Sequence, residues 1–413
     1  MSELKILIVT YWKHPVVGGS AMYIEQLKNG LERIGHKVDI LAKHPSLNQF
    51  YLVNTNKFIE INKISKVVNQ CMANRGSFSF INEINHHCFE LAASYFNLEN
   101  YDLIHTQDIF STRLLSRVKP KKTPLVASIH GCIATEYLIQ NRDRSFIKNQ
   151  TNNPRMDFEW RYMQWQEYMG SASSDITIVA TQWLKDLLIN DFHVEEKQLS
   201  IIPYALDIGQ FRKKMEGNSP VLAPAGKTVI VCPARLVFIK GHKTLLDALS
   251  KLKKQRTDWV CWIVGDGNSR NELVSMARKL KLLHNVMFLG SQDNIPAILK
   301  QGDICVLSSL QESFPYAIME AHMAGKPVVA TDAGGLPEAV AHGHTGFISP
   351  KGNSELLYQN IRKLIENKVL RHSMASNAQK WAEERWNLEL MVEKTITIYE
   401  QVLKRKNGGE VSE

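Results

Sequence analysis

The sequence predicts an α/β protein built from two parallel-sheet domains in tandem. Its 413 residues are enough for two or three ordinary domains with sizeable cores. With 44% hydrophobic and 22% charged residues, the composition is typical of a folded chain rather than a disordered one. Short apolar runs alternate with helical stretches almost throughout, and such runs are typical of a parallel sheet covered by helices on both faces.

The first predicted domain spans residues 1–205. Its first helix starts near Ser20, after the first strand, and Gly35 is a natural stop for it. Residues 48–100 interrupt the alternation; they are rich in Asn, Phe and Ile and indicate an irregular or helical insertion. The predicted strands are KILIVT (5–10), KVDILAK (37–43), DLIHTQ (102–107), PLVASIH (124–130), DITIVAT (175–181) and LSIIP (199–203).

Residues 206–227 change character, with Gly, Pro, a basic cluster and no clear periodicity, and we interpret them as an interdomain linker. A second domain, residues 228–387, then repeats the α/β alternation. After Pro350 only helices are expected, the last at about 388–405, and the tail 407–413 is expected to be disordered. The predicted strands are TVIVCPARL (228–236), WVCWIVG (259–265), VMFLG (286–290), DICVLSS (303–309), PVVATD (327–332) and GFISP (346–350).

Ligands of such sheets bind at the carboxyl ends of the strands. If these ends face each other in the two domains, the ligand pocket is the cleft between them. Residues that carry chemistry are therefore expected just after strands, and the sequence places its most informative polar residues there.

Two glutamates, Glu312 and Glu320, surround a predicted helix start in the stretch ESFPYAIME. Pro315 suits the first turn, where its missing N–H would have had no partner. Free N–H groups around Phe314 and Tyr316 would favour a phosphate. Because carboxylates accept hydrogen bonds strongly from hydroxyls, a phosphate between two hydroxyl-rich groups, a sugar nucleotide, fits the pattern. The alternative is two surface glutamates at a helix N-terminus, where negative charge is favourable anyway.

Arg235 and Lys240 follow the first strand of the second domain. A leaving nucleoside diphosphate needs positive charge where the phosphate charge grows, and an arginine fork with a lysine supplies it without a metal. The alternative is two solvated charges at a strand end.

Glycines follow strands in both domains. Gly265 and Gly267 lie in VGDGN, where they permit a tight turn and close approach of a ligand, although GDG alone is a weak signal. Gly18 and Gly19 open the first helix. This loop is not GxGxxG, and no acid follows the second strand, so an NAD-binding unit is disfavoured.

His130 ends a predicted strand and precedes a glycine. Its position would allow it to face the ligand from the first domain, and the alternative is a histidine whose hydrogen bonds are made locally. The histidine pairs elsewhere lack further ligands at metal spacing, so the sequence predicts no metal site.

The net charge of +9 is spread along the chain. It indicates either a basic solvated surface or attraction to anionic substrates or an anionic membrane face, and no motif indicates a nucleic acid. Six cysteines lie far apart without a CxxC pair, which favours neither zinc nor disulfides and fits a reducing cytoplasm. No segment is long and apolar enough to span a membrane.

Taken in order, the stretches ARLVFIKG, IVGDG, ESFPYAIMEAHMAGKPVVATDAGGLPEAV and GHTGFI resemble the retaining glycosyltransferases of family 4, which have the GT-B fold of two Rossmann-like domains facing a cleft. The resemblance is strong across 228–350 and weaker in the first half, in GGSAMYIEQL and SIHG. It implies transfer of a hexose from a nucleotide-diphosphate sugar to a glycan or lipid acceptor, with no bound metal or other cofactor. It also implies that the last helix packs back on the first domain.

By this resemblance, Glu312 binds hydroxyls of the donor sugar and Glu320 binds the ribose. Arg235 and Lys240 hold the diphosphate. His130 lies near the transferred sugar.

The remaining implied contacts involve backbone positions. Gly19 lies near the donor phosphate or the acceptor, Gly265 and Gly267 line the nucleotide side, and Phe314, Pro315 and Tyr316 form the phosphate-binding helix start. Departing phosphate assists front-face attack in this family, so no general base is needed.

One departure stands out: many members read Asn-Gly-Val-Asp where this chain has YALD, which places Tyr204 where a small polar residue is usual. Three other functions remain open. A GT-B sugar-nucleotide epimerase would interconvert donors without an acceptor. A non-catalytic sugar-nucleotide-binding protein would not need the full set of charged residues. An NAD dehydrogenase is disfavoured by its missing loop signature.

Overall fold

The computed structural model describes residues 3–16, 18–71, 78–148 and 158–407, with side chains left undescribed at 71, 78–81, 141–148 and 407. The chain divides into two compact units. Unit 1 comprises Met1–Pro203 and Leu388–Glu413, and unit 2 comprises Tyr204–Asn387.

Unit 1 is built on a sheet with the strand order β4-β3-β2-β1-β5-β6-β7-β8 among the residues described. β1, β2 and β5–β8 pair in parallel, whereas β3 and β4 are antiparallel additions at one edge. The strands are β1 (Lys5–Lys13), β2 (Lys37–Lys43), β3 (Gln49–Leu52), β4 (Phe58–Glu60), β5 (Leu103–Thr106), β6 (Leu125–Ile129), β7 (Ile176–Val179) and β8 (Leu199–Ile201).

The helices of unit 1 pack on both faces of this sheet. Side-chain caps start two of them: Asp108 accepts from the N–H of Ser111, and Thr181 accepts from the N–H of Leu184. The helices are α1 (Gly19–Arg33), α2 (Ile61–Cys71), α3 (Phe78–Tyr95), α4 (Ile109–Val118), α5 (Ile133–Lys148), α6 (Phe158–Ala172), α7 (Gln182–Phe192) and α16 (Leu388–Asn407).

Unit 2 has a wholly parallel sheet with the order β11-β10-β9-β12-β13-β14 in the described part of the chain. Every residue of β10, β12 and β13 is buried, as expected for strands covered on both faces. The strands are β9 (Thr228–Pro233), β10 (Trp259–Val264), β11 (Val286–Gly290), β12 (Ile304–Leu307), β13 (Val328–Thr331) and β14 (Gly346–Ser349).

Helices also cover both faces of the second sheet, and a core cluster that includes Trp259, Leu249 and Ile361 fills one side. The helices are α8 (Ile208–Met215), α9 (His242–Lys253), α10 (Arg270–Lys279), α11 (Ile295–Gln301), α12 (Tyr316–Met323), α13 (Leu336–Ala339), α14 (Ser354–Glu366) and α15 (Lys368–Arg385). The predicted fold class, α/β with two parallel sheets, is confirmed, and each predicted strand is present.

The C-terminal helix α16 belongs to unit 1 rather than to the unit that precedes it in the chain. It lies so close to α1 that a Cβ on Gly30 would be 2.3 Å from Val392 Cγ2. Deeper in the unit, the hydroxyl of Tyr399 and His105 Nδ1 are 2.6 Å apart, and both side chains are fully buried. Packing and a buried hydrogen bond therefore hold α16 on the first sheet.

Two segments differ from the sequence prediction. The expected linker 206–227 contains α8, which Asp207 caps by accepting from the N–H of Gln210 and which buries Phe211. Because the last turn of α8 is basic, its short apolar face gives no clear helical periodicity in the sequence.

The insertion 48–100 holds the antiparallel strands β3 and β4 besides α2 and α3. Within the tail 407–413, Asn407 is the last residue of α16, and 408–413 lie outside the described residues.

None of the helices in the described ranges is both long and apolar enough to cross a bilayer.

Candidate active site

The candidate site of unit 2 lies where the strand order reverses. β10 and β11 extend the sheet on one side of β9, whereas β12, β13 and β14 extend it on the other. The carboxyl ends of β9 and β12 therefore flank the switch point, which is the position where open parallel sheets bind ligands. The loops that follow these two strands carry most of the residues singled out in the sequence.

Lys240 and Glu312 form an ion pair across the switch point. Lys240 ends a short 3-10 turn after β9, Glu312 follows β12, and Lys240 Nζ donates to Glu312 Oε2. The two side chains are only 13% and 14% exposed, so solvent screens the pair weakly. The sequence placed both residues in one site but assigned them to different parts of a ligand. The structure joins them, so a bound phosphate would share Lys240 with a carboxylate.

Glycines fix the loops around this pair by letting backbones touch. Gly241 follows Lys240 with φ +64°, and a Cβ there would lie 1.9 Å from the carbonyl oxygen of Ser308. Gly334 has φ +60°, and its Cβ would lie 1.9 Å from the carbonyl oxygen of Glu312. Gly334, in the loop after β13, therefore packs directly on the Glu312 loop, and only glycine fits there.

Gly265 and Gly267 serve the same kind of contact. A Cβ on Gly265 would lie 2.2 Å from the carbonyl oxygen of Ala234, and one on Gly267 would lie 2.4 Å from that of Leu236. Both glycines thus pack against the backbone of the loop that contains Arg235. Because the nearest atoms belong to protein backbone, glycine is required at both positions whether or not a ligand binds there. The side chain of Arg235 itself is exposed.

Glu320 lies one turn into α12 and is buried. Burial raises the pKa of its carboxyl to about 7, partly offset by the positive charge of Lys214. A carboxyl group in this state changes its charge near neutral pH. It can accept hydrogen bonds from hydroxyl groups most strongly when ionised.

The N-terminus of α12 presents backbone rather than side chains. Pro315 occupies the capping position directly before Tyr316, one residue outside the helix rather than within its first turn. The side chains of Phe314 and Tyr316 are buried at 6% exposure, packed against Tyr204. Only their backbone N–H groups are therefore suited to an anion, which the helix dipole favours.

In unit 1, His130 follows β6 and packs its ring on that of Tyr23, with ring centroids 4.8 Å apart. Its Nε2 lies 3.2 Å from Gln107 Oε1. Burial lowers the pKa of His130 to about 3, so the imidazole is neutral at physiological pH. A neutral imidazole in this place can exchange hydrogen bonds with a hydroxyl group but brings no charge. Gly19 begins α1 directly after the capping residue Gly18.

A buried carboxyl supports the loop after His130. Glu167 on α6 accepts from the N–H groups of Ile133 and Ala134 at 2.9 and 3.3 Å, which caps the start of α5. Burial raises the pKa of Glu167 to about 7. Within the residues that the structure describes, no group of three or more His, Cys, Asp and Glu side chains is arranged to hold a metal ion.

Both halves of the chain match families of known function. Residues 17–210 match the family described as Glycosyltransferase Family 4, and residues 216–381 match Glycosyl transferases group 1. The chain is a family 4 glycosyltransferase. Its two α/β units are those of the GT-B fold, as the resemblance implied.

Three known proteins show the extent of this likeness. An uncharacterized glycosyltransferase of Methanocaldococcus jannaschii is 25% identical over 96% of this chain and 98% of its own length. The UDP-Gal:alpha-D-GlcNAc-diphosphoundecaprenol alpha-1,3-galactosyltransferase of Escherichia coli is 24% identical over 75% and 77%. The solved structure of sucrose-phosphate synthase from Thermosynechococcus elongatus superposes with a TM-score of 0.74 over 97% and 99%, at 17% identity.

The glycosyltransferase also contains supporting residues that its sequence did not reveal. Glu167 caps a helix that starts 34 positions earlier in the chain, and Tyr399 meets a histidine 294 positions away. No local pattern marks either residue. The sequence shows only an acidic residue and a tyrosine within amphipathic helices. Such residues are too common in helices for these two to be singled out.

Replacing Gly334 with alanine tests the role of the glycine loop. The new Cβ would collide with the Glu312 carbonyl oxygen. We therefore expect the free energy of unfolding to fall by about 1–3 kcal/mol, in addition to the cost of placing alanine in a left-handed backbone conformation. Transfer activity should fall as well. Gly343→Ala is the matched control, because Gly343 also has a positive φ, +78°, but nothing lies within 4 Å of its Cβ. Urea unfolding midpoints and kcat/KM of both variants make the comparison, and equal losses would contradict this role.

Proposed function

We propose that this glycosyltransferase transfers a hexose, with retention of anomeric configuration and without a metal ion, from a nucleotide-diphosphate sugar to a glycan or lipid-linked acceptor in polysaccharide or cell-envelope biosynthesis. Unit 2 binds the donor and unit 1 receives the acceptor. The observation that carries the proposal is the Lys240–Glu312 pair at the switch point, beside the N-terminus of α12.

The donor fits this arrangement group by group. The diphosphate takes the positive charge of Lys240 and Arg235 and the N–H groups at the start of α12. Glu312 accepts hydroxyls of the donor sugar, and Glu320 accepts those of the ribose. His130, held neutral by burial, hydrogen-bonds a sugar hydroxyl.

The chemistry follows from where charge develops. The bond between the anomeric carbon and the phosphate oxygen breaks, and the acceptor oxygen bonds to the anomeric carbon on the same face. The acceptor proton passes to the departing phosphate, so no side chain has to act as a base. Lys240 and Arg235 neutralise the charge that grows on the phosphate, and one such contact contributes a rate factor of about 10² to 10³.

A UDP sugar is the first donor to test, because the E. coli relative is named for one, with a lipid-diphosphate-linked acceptor. The same name supports a lipid-linked acceptor for this chain. The net charge of +9 supports a location in the cytoplasm at an anionic membrane face.

The proposal is tested first by binding and then by products. Nucleoside diphosphates and their sugars are screened by thermal shift, because a ligand that binds the folded protein raises its Tm. With the best donor, mass spectrometry and the anomeric signals of the product identify transfer and its stereochemistry, and EDTA is expected to leave the rate unchanged. Interconversion of the donor without an acceptor, an inverted product or a strict need for a divalent metal would contradict the proposal.

A further inference from the structure

Five buried rings in unit 2 form what we call the aromatic clamp: Tyr204, Phe314, Tyr316, His322 and Trp386. The ring of Tyr204 stacks on Tyr316 with centroids 5.2 Å apart and an angle of 16°, and meets Phe314 edge-on at 5.6 Å. Trp386 continues the contact, edge-on to Phe314 at 5.8 Å and stacked on His322 at 5.7 Å. Each of these side chains is at most 6% exposed.

The clamp joins the beginning and the end of unit 2 to the helix of the candidate site. Tyr204 begins the unit and Trp386 lies next to its end. The two chain segments are also bonded to each other, because the N–H of Leu206 donates to the carbonyl oxygen of Trp386 at 2.9 Å. Between them, the rings hold both ends of α12, since Tyr316 is its first residue and His322 its penultimate one.

This placement matters because α12 carries two of the proposed donor contacts. Its first turn supplies the N–H groups for the phosphate, and Glu320 lies between the two clamped ends. Hydrogen bonds of this kind demand geometry within about 0.5 Å, and such geometry is maintained only when packing locks the supporting residues. Pro315, which caps α12, has no side chain that could fix the helix start by hydrogen bonding.

We propose that Tyr204 is a positioning residue for donor binding: its stacking on Tyr316 sets the first turn of α12 and, through it, the phosphate-binding N–H groups and Glu320. The inference rests on the proposed function, in which the donor diphosphate binds at this helix. It gives a role to Tyr204, which stands where many family members have the asparagine of Asn-Gly-Val-Asp. A small polar residue there could not make the stacking contact.

Two substitutions distinguish the effect of ring stacking from the effect of apolar volume at position 204. Tyr204→Phe keeps the stacked ring, whereas Tyr204→Leu keeps an apolar side chain but loses the stacking. Tyr358→Leu is the matched control, because Tyr358 is also a buried tyrosine of unit 2, on α14 in the main core and outside the clamp. UDP, or the nucleoside diphosphate selected by the thermal-shift screen, is the probe, and its Kd is measured by calorimetry alongside Tm.

We expect Tyr204→Leu to weaken binding of the nucleoside diphosphate about tenfold or more, since the loss of one hydrogen bond to a charged phosphate has an effect of about that size. Tyr204→Phe is expected to lose less than Tyr204→Leu. Tyr358→Leu is expected to lower Tm comparably while its Kd stays that of the wild type. In hydrogen exchange, the amides of α12 that donate hydrogen bonds within the helix, from Ile318 onward, should be deprotected in Tyr204→Leu but not in Tyr358→Leu.

Unchanged Kd in Tyr204→Leu, or an equal loss in Tyr358→Leu, would overturn the inference. If Tyr204→Leu does not fold, Tyr204→Met, which fills the volume with an unbranched side chain, takes its place with the same two outcomes. Failure of the proposed function has a different signature, because the wild type would then bind none of the nucleoside diphosphates or their sugars.

Discussion

Replacing Lys240 with alanine is expected to lower kcat/KM for sugar transfer by roughly 10³-fold while the protein remains folded. The ammonium group lies at the switch point of the sheet and is mostly shielded from solvent, so its charge acts strongly on a phosphate. Removing one preorganised donor at a site of developing charge costs about 10²- to 10³-fold, and here a full charge is lost as well. Initial rates with a saturating acceptor measure the effect.

Two further variants make this prediction specific. Lys243→Ala removes a lysine three residues further along, at the start of α9, where it forms an exposed ion pair with Glu272, and should leave the rate unchanged. In Lys240→Ala the mostly buried Glu312 carboxylate loses its cation, which should lower stability. Adding Glu312→Gln should restore stability but not activity. Wild-type turnover in Lys240→Ala, or an equal loss in Lys243→Ala, would contradict the assignment.

Replacing Glu320 with glutamine or alanine is expected to lower kcat/KM roughly 10- to 100-fold, the effect of losing charge-assisted hydrogen bonds to the ribose. Because burial raises the pKa of Glu320 to about 7, the wild-type carboxyl ionises as pH rises from 6 to 8. Donor affinity should therefore increase over this range in the wild type and stay level in Glu320→Gln. Titrations with the nucleoside diphosphate at several pH values test it.

Stability has the opposite pH dependence. With a folded pKa of about 7 against an ordinary 4.5, the folded state holds its proton more tightly than the unfolded state. The free energy of unfolding should thus fall as pH rises between these values, by about 3 kcal/mol, and level off above them. Glu320→Gln should flatten this part of the curve.

Glu167→Gln is the matched control for the two pH effects. Its carboxyl is also buried with a pKa raised to about 7, but it lies in unit 1. The substitution should alter the pH dependence of stability and leave that of nucleoside diphosphate affinity as in the wild type. The same change of affinity profile in both variants would show that Glu320 has no special place in donor binding.

Local sequence signals predicted most of the secondary structure because parallel strands buried on both faces must be apolar along their length. The runs WVCWIVG and DICVLSS predict β10 and β12 for this reason, and every residue of these two strands is buried. The signal failed where burial is one-sided or brief. α8 buries Phe211 under a basic last turn, and the two antiparallel strands β3 and β4 are only four and three residues long.

The sequence by itself determined the α/β class of this protein, the order of its strands along the chain and the positions after strands where its charged residues lie. These are local properties, set by burial and by backbone preference within a few residues. Only the tertiary structure decided which of those residues meet. Lys240 and Glu312 are 72 positions apart and pair because β9 and β12 are neighbours in the sheet. Tyr204 reaches α12, and Tyr399 reaches His105, for the same reason: contacts between distant segments depend on how the sheets and helices pack, which no local pattern of residues encodes.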